Sequence, residues 1–98
     1  MTPDAKRVAA AAKLLVAARR EGQLLDRLPE DAAPRDLAEA LAVQEAVAQR
    51  LGAPQAGWKV GATAAAVQAK IGLVHPFHGR VFADTVYASG IAIPPAPA

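Results

Sequence analysis

Alanine constrains this chain more than any other residue. It fills about a quarter of the 98 positions and is spread through both halves of the chain. Alanine is the best helix former, but it buries little area. Alanine-rich helices can form here, yet they cannot alone enclose a deep core. A chain of this length buries only roughly 60–65% of the surface its unfolded form exposes. The core is therefore expected to lean on a few larger side chains: Leu14, Leu15, Leu37, Leu41, Val47, Leu51, Trp58, Ile71, Phe77 and Phe82.

The first segment predicts a helix from about Pro3 to Glu21. Thr2 is the expected cap, Pro3 suits the first helical position, and Asp4 complements the helix dipole. Val8, Ala11, Ala12, Leu15 and Ala18 recur at helical spacing, with Leu14 widening the stripe. Arg19 and Arg20 favour the C-terminal end, and Gly22 supplies a left-handed exit. Residues 23–33 read as a connector. A second helix is expected from about Pro34 to Leu51, with Leu37, Leu41, Gln44, Val47 and Leu51 on one face. Gly52 closes it, and Pro54 prevents continuation.

The pattern then changes. Residues 56–61, Ala-Gly-Trp-Lys-Val-Gly, are too glycine-rich for a helix. Alternation predicts a short strand with Trp58 and Val60 on one side and Lys59 on the other. Thr63 is the expected cap of a short helix over Ala64–Lys70, ended by Gly72. Residues 73–79 read as a loop. Arg80–Ala83, Val86–Tyr87 and Ile91–Ile93 are candidate strands, with a turn at Ser89–Gly90. The proline-rich end cannot be a regular central strand. The fold class is α+β: two N-terminal helices, then short strands and a short helix. The helical region covers 1–55, and the start of a sheet domain covers 56–98.

Composition removes several functions. With no cysteine there is no thiol nucleophile, disulfide or zinc knuckle. A cytoplasmic setting is the expectation. The net charge of +2 is scattered, and the densest basic pair is Arg19–Arg20. Nucleic-acid binding wants a basic stripe with aromatics on it, so no nucleic-acid partner is expected. No apolar run approaches the 18 residues of a membrane span, so no membrane partner is expected either. The opening is interrupted by Lys13 before it could serve as a secretory signal.

Lys59 is the sharpest candidate for chemistry. Gly57 and Gly61 on either side permit close approach of a ligand. In a semi-enclosed site its ammonium could hold a carboxylate or enolate oxygen. The alternative is a solvent-facing strand lysine with its stem along the sheet. His75 and His78 have spacing compatible with a metal, but further ligands are wanting. A loop packed by Phe77 is the simpler reading. Arg80 could grip a carboxylate in fork geometry, or pair with Asp84 at the surface. The glycines match no dinucleotide or phosphate-loop fingerprint. The acids up to Glu45 lie in or between the two helices, where solvated roles suffice. No self-sufficient catalytic constellation can be assembled.

Residues 36–44 (Asp-Leu-Ala-Glu-Ala-Leu-Ala-Val-Gln), 57–63 (Gly-Trp-Lys-Val-Gly-Ala-Thr), Gln68, Gly72, 76–84 (Pro-Phe-His-Gly-Arg-Val-Phe-Ala-Asp) and 88–90 (Ala-Ser-Gly) together carry a resemblance. They resemble the start of the 2-keto-4-pentenoate hydratases. These enzymes and the similar 4-oxalocrotonate decarboxylases belong to the fumarylacetoacetate hydrolase-like superfamily. The resemblance runs from about Ala9 to Ile93. Leu41 departs from it, standing where members often have a tyrosine.

The resemblance implies a helical region packed against a mixed, rolled sheet. It implies a magnesium or manganese ion holding a 2-oxo or 2-hydroxy acid, with a Glu-x-Glu pair and a further acid as ligands. This chain has no glutamate after Glu45 and only Asp84 as a later acid. The resemblance therefore makes it an N-terminal portion, expected to bind no metal tightly and to be inactive alone. Lys59 maps to the active-site lysine. Gly57, Gly61, Thr63, Phe77, His78 and Arg80 are the implied pocket residues, and a homo-oligomer is implied. The parent reaction would be hydration of 2-hydroxypenta-2,4-dienoate to 4-hydroxy-2-oxopentanoate. A decarboxylase-like parent, or a short non-catalytic scaffold, is the alternative.

Overall fold

A computed structural model describes residues 2–94. The chain forms two compact units. One runs up to Gly52 and takes in the tail from Ala92; the other is Ala53–Ile91.

The first unit holds helices α1 (Ala5–Glu21) and α2 (Leu37–Leu51). Both begin on an aspartate rather than on the expected proline. Asp4 accepts from the N–H groups of Lys6 and Arg7, and Asp36 accepts from that of Glu39. A carboxylate satisfies the otherwise unpaired N–H groups of the first turn and complements the dipole. Thr2 is therefore not the cap of α1, and Pro3 and Pro34 precede the helices. The C-terminal ends follow expectation: Gly22 and Gly52 take φ of 66° and 65°.

The two helices run side by side in the same direction. At one end the Asp4 N–H donates to Glu39 Oε2 at 3.1 Å. At the other, Arg20 Nη2 donates to the Arg50 carbonyl at 3.1 Å. A parallel pair requires the connector to travel back the length of α1, roughly 25 Å at 1.5 Å per residue. The segment between the helices is long enough in extended form. Arg7 pins its far end, donating from Nη1 to the Glu30 and Ala33 carbonyls, each at 2.7 Å.

The core of this unit is made of small residues. Ala11, Ala32 and Val43 form its centre, with Val8, Leu15, Leu28 and Val47 packed against it. Ala12 and Val16 are also buried. The expected core is thus only partly realised. Leu14 is exposed, and Leu37, Leu41 and Leu51 are half-buried. The inward face of α2 is centred on Glu39 and Val43 instead.

Glu39 is the largest correction to the reading of the acids as solvated. It is fully buried. Its carboxylate accepts from Arg35 N–H at 2.9 Å, from the Arg35 guanidinium and from Asp4 N–H. The hydrogen bond from the Arg35 side chain is the main reason its pKa falls to about 2, with both backbone N–H groups assisting and burial opposing. The pattern Asp36-x-x-Glu39 has the form of a capping box, in which the acid at the third helical position reaches back to the chain entering the helix. Here it reaches Arg35 and then crosses to α1.

The second unit contains strands β1 (Gln55–Gly61) and β2 (Phe77–Phe82), the short helix α3 (Ala65–Lys70) between them, and a 3-10 turn at Ala83–Thr85. The strands pair antiparallel as a two-stranded sheet. β2 takes in residues 77–79, read from sequence as loop, because Gly79 and its neighbours find partners on β1. Val86–Tyr87 and Ile91–Ile93 form no strand. The 3-10 turn, held by Thr85 Oγ1 donating to the Phe82 carbonyl at 2.9 Å, ends the pairing before them. The turn at Ser89–Gly90 is present. The tail beyond Pro94 lies outside the described residues. α3 buries no side chain, and Trp58, Ile71 and Phe77 of the expected core are 43–53% exposed, whereas Phe82 is buried. A two-stranded ribbon and one short helix are too little to cover them. No helix among the described residues is long and apolar enough to cross a membrane.

Candidate functional site: a glycine-cleared face of the ribbon

Strand alternation and register distribute the candidate residues over two faces. Trp58 lies opposite Arg80 and Val60 opposite His78. Lys59 lies opposite Gly79, Gly61 opposite Phe77, and Gly57 opposite Val81. Successive side chains point to opposite sides of a strand, so the first set shares one face and the second shares the other. Lys59 is therefore separated by the sheet backbone from His78 and Arg80. The pocket residues do not converge around the lysine as one cluster.

On the Lys59 face, each large side chain meets a glycine. The Lys59 stem crosses Gly79: a β-carbon at position 79 would stand 3.6 Å from Lys59 Cγ. The Phe77 ring covers Gly61: a β-carbon there would come within 2.7 Å of Phe77 Cζ. Glycine lets the aromatic lie on the backbone, a recognised way of pairing rings with strand glycines. Gly57 has open space above it. The backbone left bare on this face is at Gly57, beside the Lys59 stem, and Lys59 itself is exposed. A small planar anion can approach bare backbone closely, and the lysine offers three donors to it.

The opposite face carries packed side chains, with Trp58 and Val60 still exposed. The Arg80 guanidinium carbon lies 5.0 Å above the Trp58 ring centre, in cation–π range. The His78 and Trp58 rings meet edge to face at 5.2 Å. Arg80 Nη1 also donates to Gln55 Oε1. Gln55 reaches that side because the register slips between Gln55 and Gly57, a bulge next to the edge of the pairing.

Thr63 follows β1 beyond a tight turn. It is exposed and does not cap α3, whose first-turn flank is Ala64 with no side-chain cap. The turn is made by Ala62, a non-glycine residue at φ 54°. Gln68 Nε2 donates to the Ala62 carbonyl at 2.9 Å and holds that conformation. Gln68 is thus a positioning residue for the end of β1, which residue-by-residue reading of the sequence left without a role.

His75 Nδ1 contacts the carbonyl of Pro76 at 2.8 Å, and His78 faces Trp58. Among the described residues, no three His, Cys, Asp or Glu side chains gather where they could hold a metal ion. The donor set of this chain does not fit a magnesium or manganese centre. No family model, curated protein or solved structure matches the chain.

Proposed function

We propose that this chain is the N-terminal portion of a 2-keto-4-pentenoate hydratase-like lyase, with the Lys59 face of the ribbon as the part that receives the substrate's carboxylate. The supporting observation is the placement of Lys59 across Gly79, beside the bare backbone at Gly57. The parent reaction adds water to 2-hydroxypenta-2,4-dienoate and yields 4-hydroxy-2-oxopentanoate. In it, the Lys59 ammonium would hold the substrate carboxylate or the oxygen of its enolate, stabilising negative charge there. Gly57 would let the acid reach the backbone beside Lys59, while Phe77 closes the face over Gly61. The described residues supply no metal seat, so the role of this chain is binding and orientation. A 4-oxalocrotonate decarboxylase-like parent would use the same cation for the same group.

The test is titration of the isotope-labelled chain with 2-oxopentanoate, followed by NMR. Expected are shifts confined to Lys59, Gly61, Phe77 and Gly79, abolished by Lys59→Ala. Shifts that survive Lys59→Ala would remove this face from the reading. The isolated chain is expected to show no hydratase turnover with magnesium or manganese added. Measurable metal-dependent turnover would overturn that expectation.

A second reading, a non-catalytic scaffold or oligomerisation module, rests on the exposure of Trp58, Val60 and Val74. Exposed apolar side chains on a ribbon with open edges are what a partner strand or layer covers. Sedimentation separates the two: concentration-dependent self-association without any 2-oxo acid response favours the scaffold.

A further inference from the structure

The helical unit carries an open groove with a volume of about 570 Å³. That volume lies within the range of small-molecule sites. Leu15 of α1, Leu28 and Pro34 of the connector, and Val43 and Val47 of α2 make its apolar walls. Two polar side chains join them, Arg19 and Gln44. Arg19 lies four residues beyond Leu15, one turn along the same face of α1, so the cation stands at one end of the apolar walls. No acid lines the groove.

We propose that this groove binds a free medium-chain fatty acid, its alkyl chain along the leucine and valine walls and its carboxylate at Arg19 with Gln44 beside it. The charge pattern carries the argument. One guanidinium and one amide match a single carboxylate, and the fork of arginine suits its two oxygens. Arg19 and Gln44 each already have an interaction within the chain; the five N–H donors of a guanidinium and the two of an amide let each serve more than one acceptor. The remaining walls offer nothing to a second polar group, which disfavours sugars and nucleotides and selects a chain with one polar end. The site shares no residue with the Lys59 face, and the inference is independent of the function proposed for that face.

Decanoate is the probe, titrated into the full chain by calorimetry below its micellar concentration. One saturable site is expected. Arg19→Gln should weaken it about threefold to fivefold, the range of an exposed ion pair, and decan-1-ol should bind correspondingly less well. Ala40→Phe, which fills the groove from α2, should abolish binding while the helical circular dichroism is retained. Lys59→Ala should leave it unchanged. Nuclear Overhauser contacts from decanoate to the methyl groups of Leu15, Leu28 and Val47 provide the second readout, usable even if Ala40→Phe fails to fold. The proposal is overturned by the absence of saturable binding, by contacts only to the ribbon, by loss with Lys59→Ala, or by equal affinity for the alcohol.

Discussion

The two units reach order by opposite means. The helical unit uses alanines to bring helices together, and ties their ends with carboxylates and guanidinium groups. The ribbon unit uses glycines to let large side chains lie on bare backbone. Their charges differ in the same sense. Up to Gly52 eight basic residues balance eight acidic ones, whereas Lys59, Lys70 and Arg80 outweigh Asp84 after it, so the net charge of +2 belongs to the ribbon. The lesson is that small residues serve stability in one unit and access in the other. Alanine at the helix contact shortens the distance between two buried faces. Glycine on the strand makes room for the chain's own Phe77 and Lys59, and at Gly57 leaves the backbone open.

Removing Glu39 should break this comparison hardest. Glu39→Ala leaves the Arg35 guanidinium and two backbone N–H groups without their acceptor. Arg35 is 38% exposed and can turn to water, so the cost comes from the two backbone N–H groups left unpaired and from the space the buried side chain vacates. The thermal midpoint of the helical signal should fall by about 5–10 °C. Trp58 fluorescence, followed in the same melt, shows whether the ribbon is affected. Coincident transitions would show that the two units unfold as one.

Acid should act through the same group. Glu39 has a pKa of about 2 in the folded chain against an ordinary 4.5. A lowered folded pKa means that its contribution is complete above pH 4.5 and is lost as pH falls toward 2. Helical circular dichroism should weaken through that window. In Glu39→Gln this component of the acid transition should disappear, and a transition of unchanged size would assign it to other carboxylates.

Smaller effects are expected in the ribbon unit. Ala62 holds φ 54°, a region that costs a non-glycine residue roughly 1–2 kcal/mol. Ala62→Gly should stabilise the chain, by up to about 1 kcal/mol after the added freedom of glycine in the unfolded state. A denaturation midpoint that moves down would show that the turn is not under strain. Lys59→Ala should change stability least, within about 0.5 kcal/mol, since the side chain is exposed. A larger loss would mean that Lys59 supports the ribbon rather than a ligand.

Much of the local structure was legible. The helix ends at Gly22 and Gly52 and the alternation of Trp58, Lys59 and Val60 follow from propensities acting over a few residues. The helix starts were misplaced by two and three residues because proline and threonine were weighed above the nearby aspartates. Glu39 was misread for a different reason. Its pattern with Asp36 is local, but its burial depends on Asp4, 35 residues away. The site was legible in part. Gly57, Lys59 and Gly61 were singled out correctly as neighbours on a strand, while His78 and Arg80 were grouped with them without knowledge of the register that puts them on the opposite face.

From sequence alone, this protein's alanine and glycine content determined where helices form, where they stop and where the chain becomes extended. Those choices are made by backbone sterics and by hydrogen bonds within a turn. Tertiary structure decided that the helices run parallel, that a glutamate lies between them, and that a lysine lies across a glycine 20 residues later. Such pairings depend on which distant segments meet and in what register. No property of a residue's immediate neighbours specifies that.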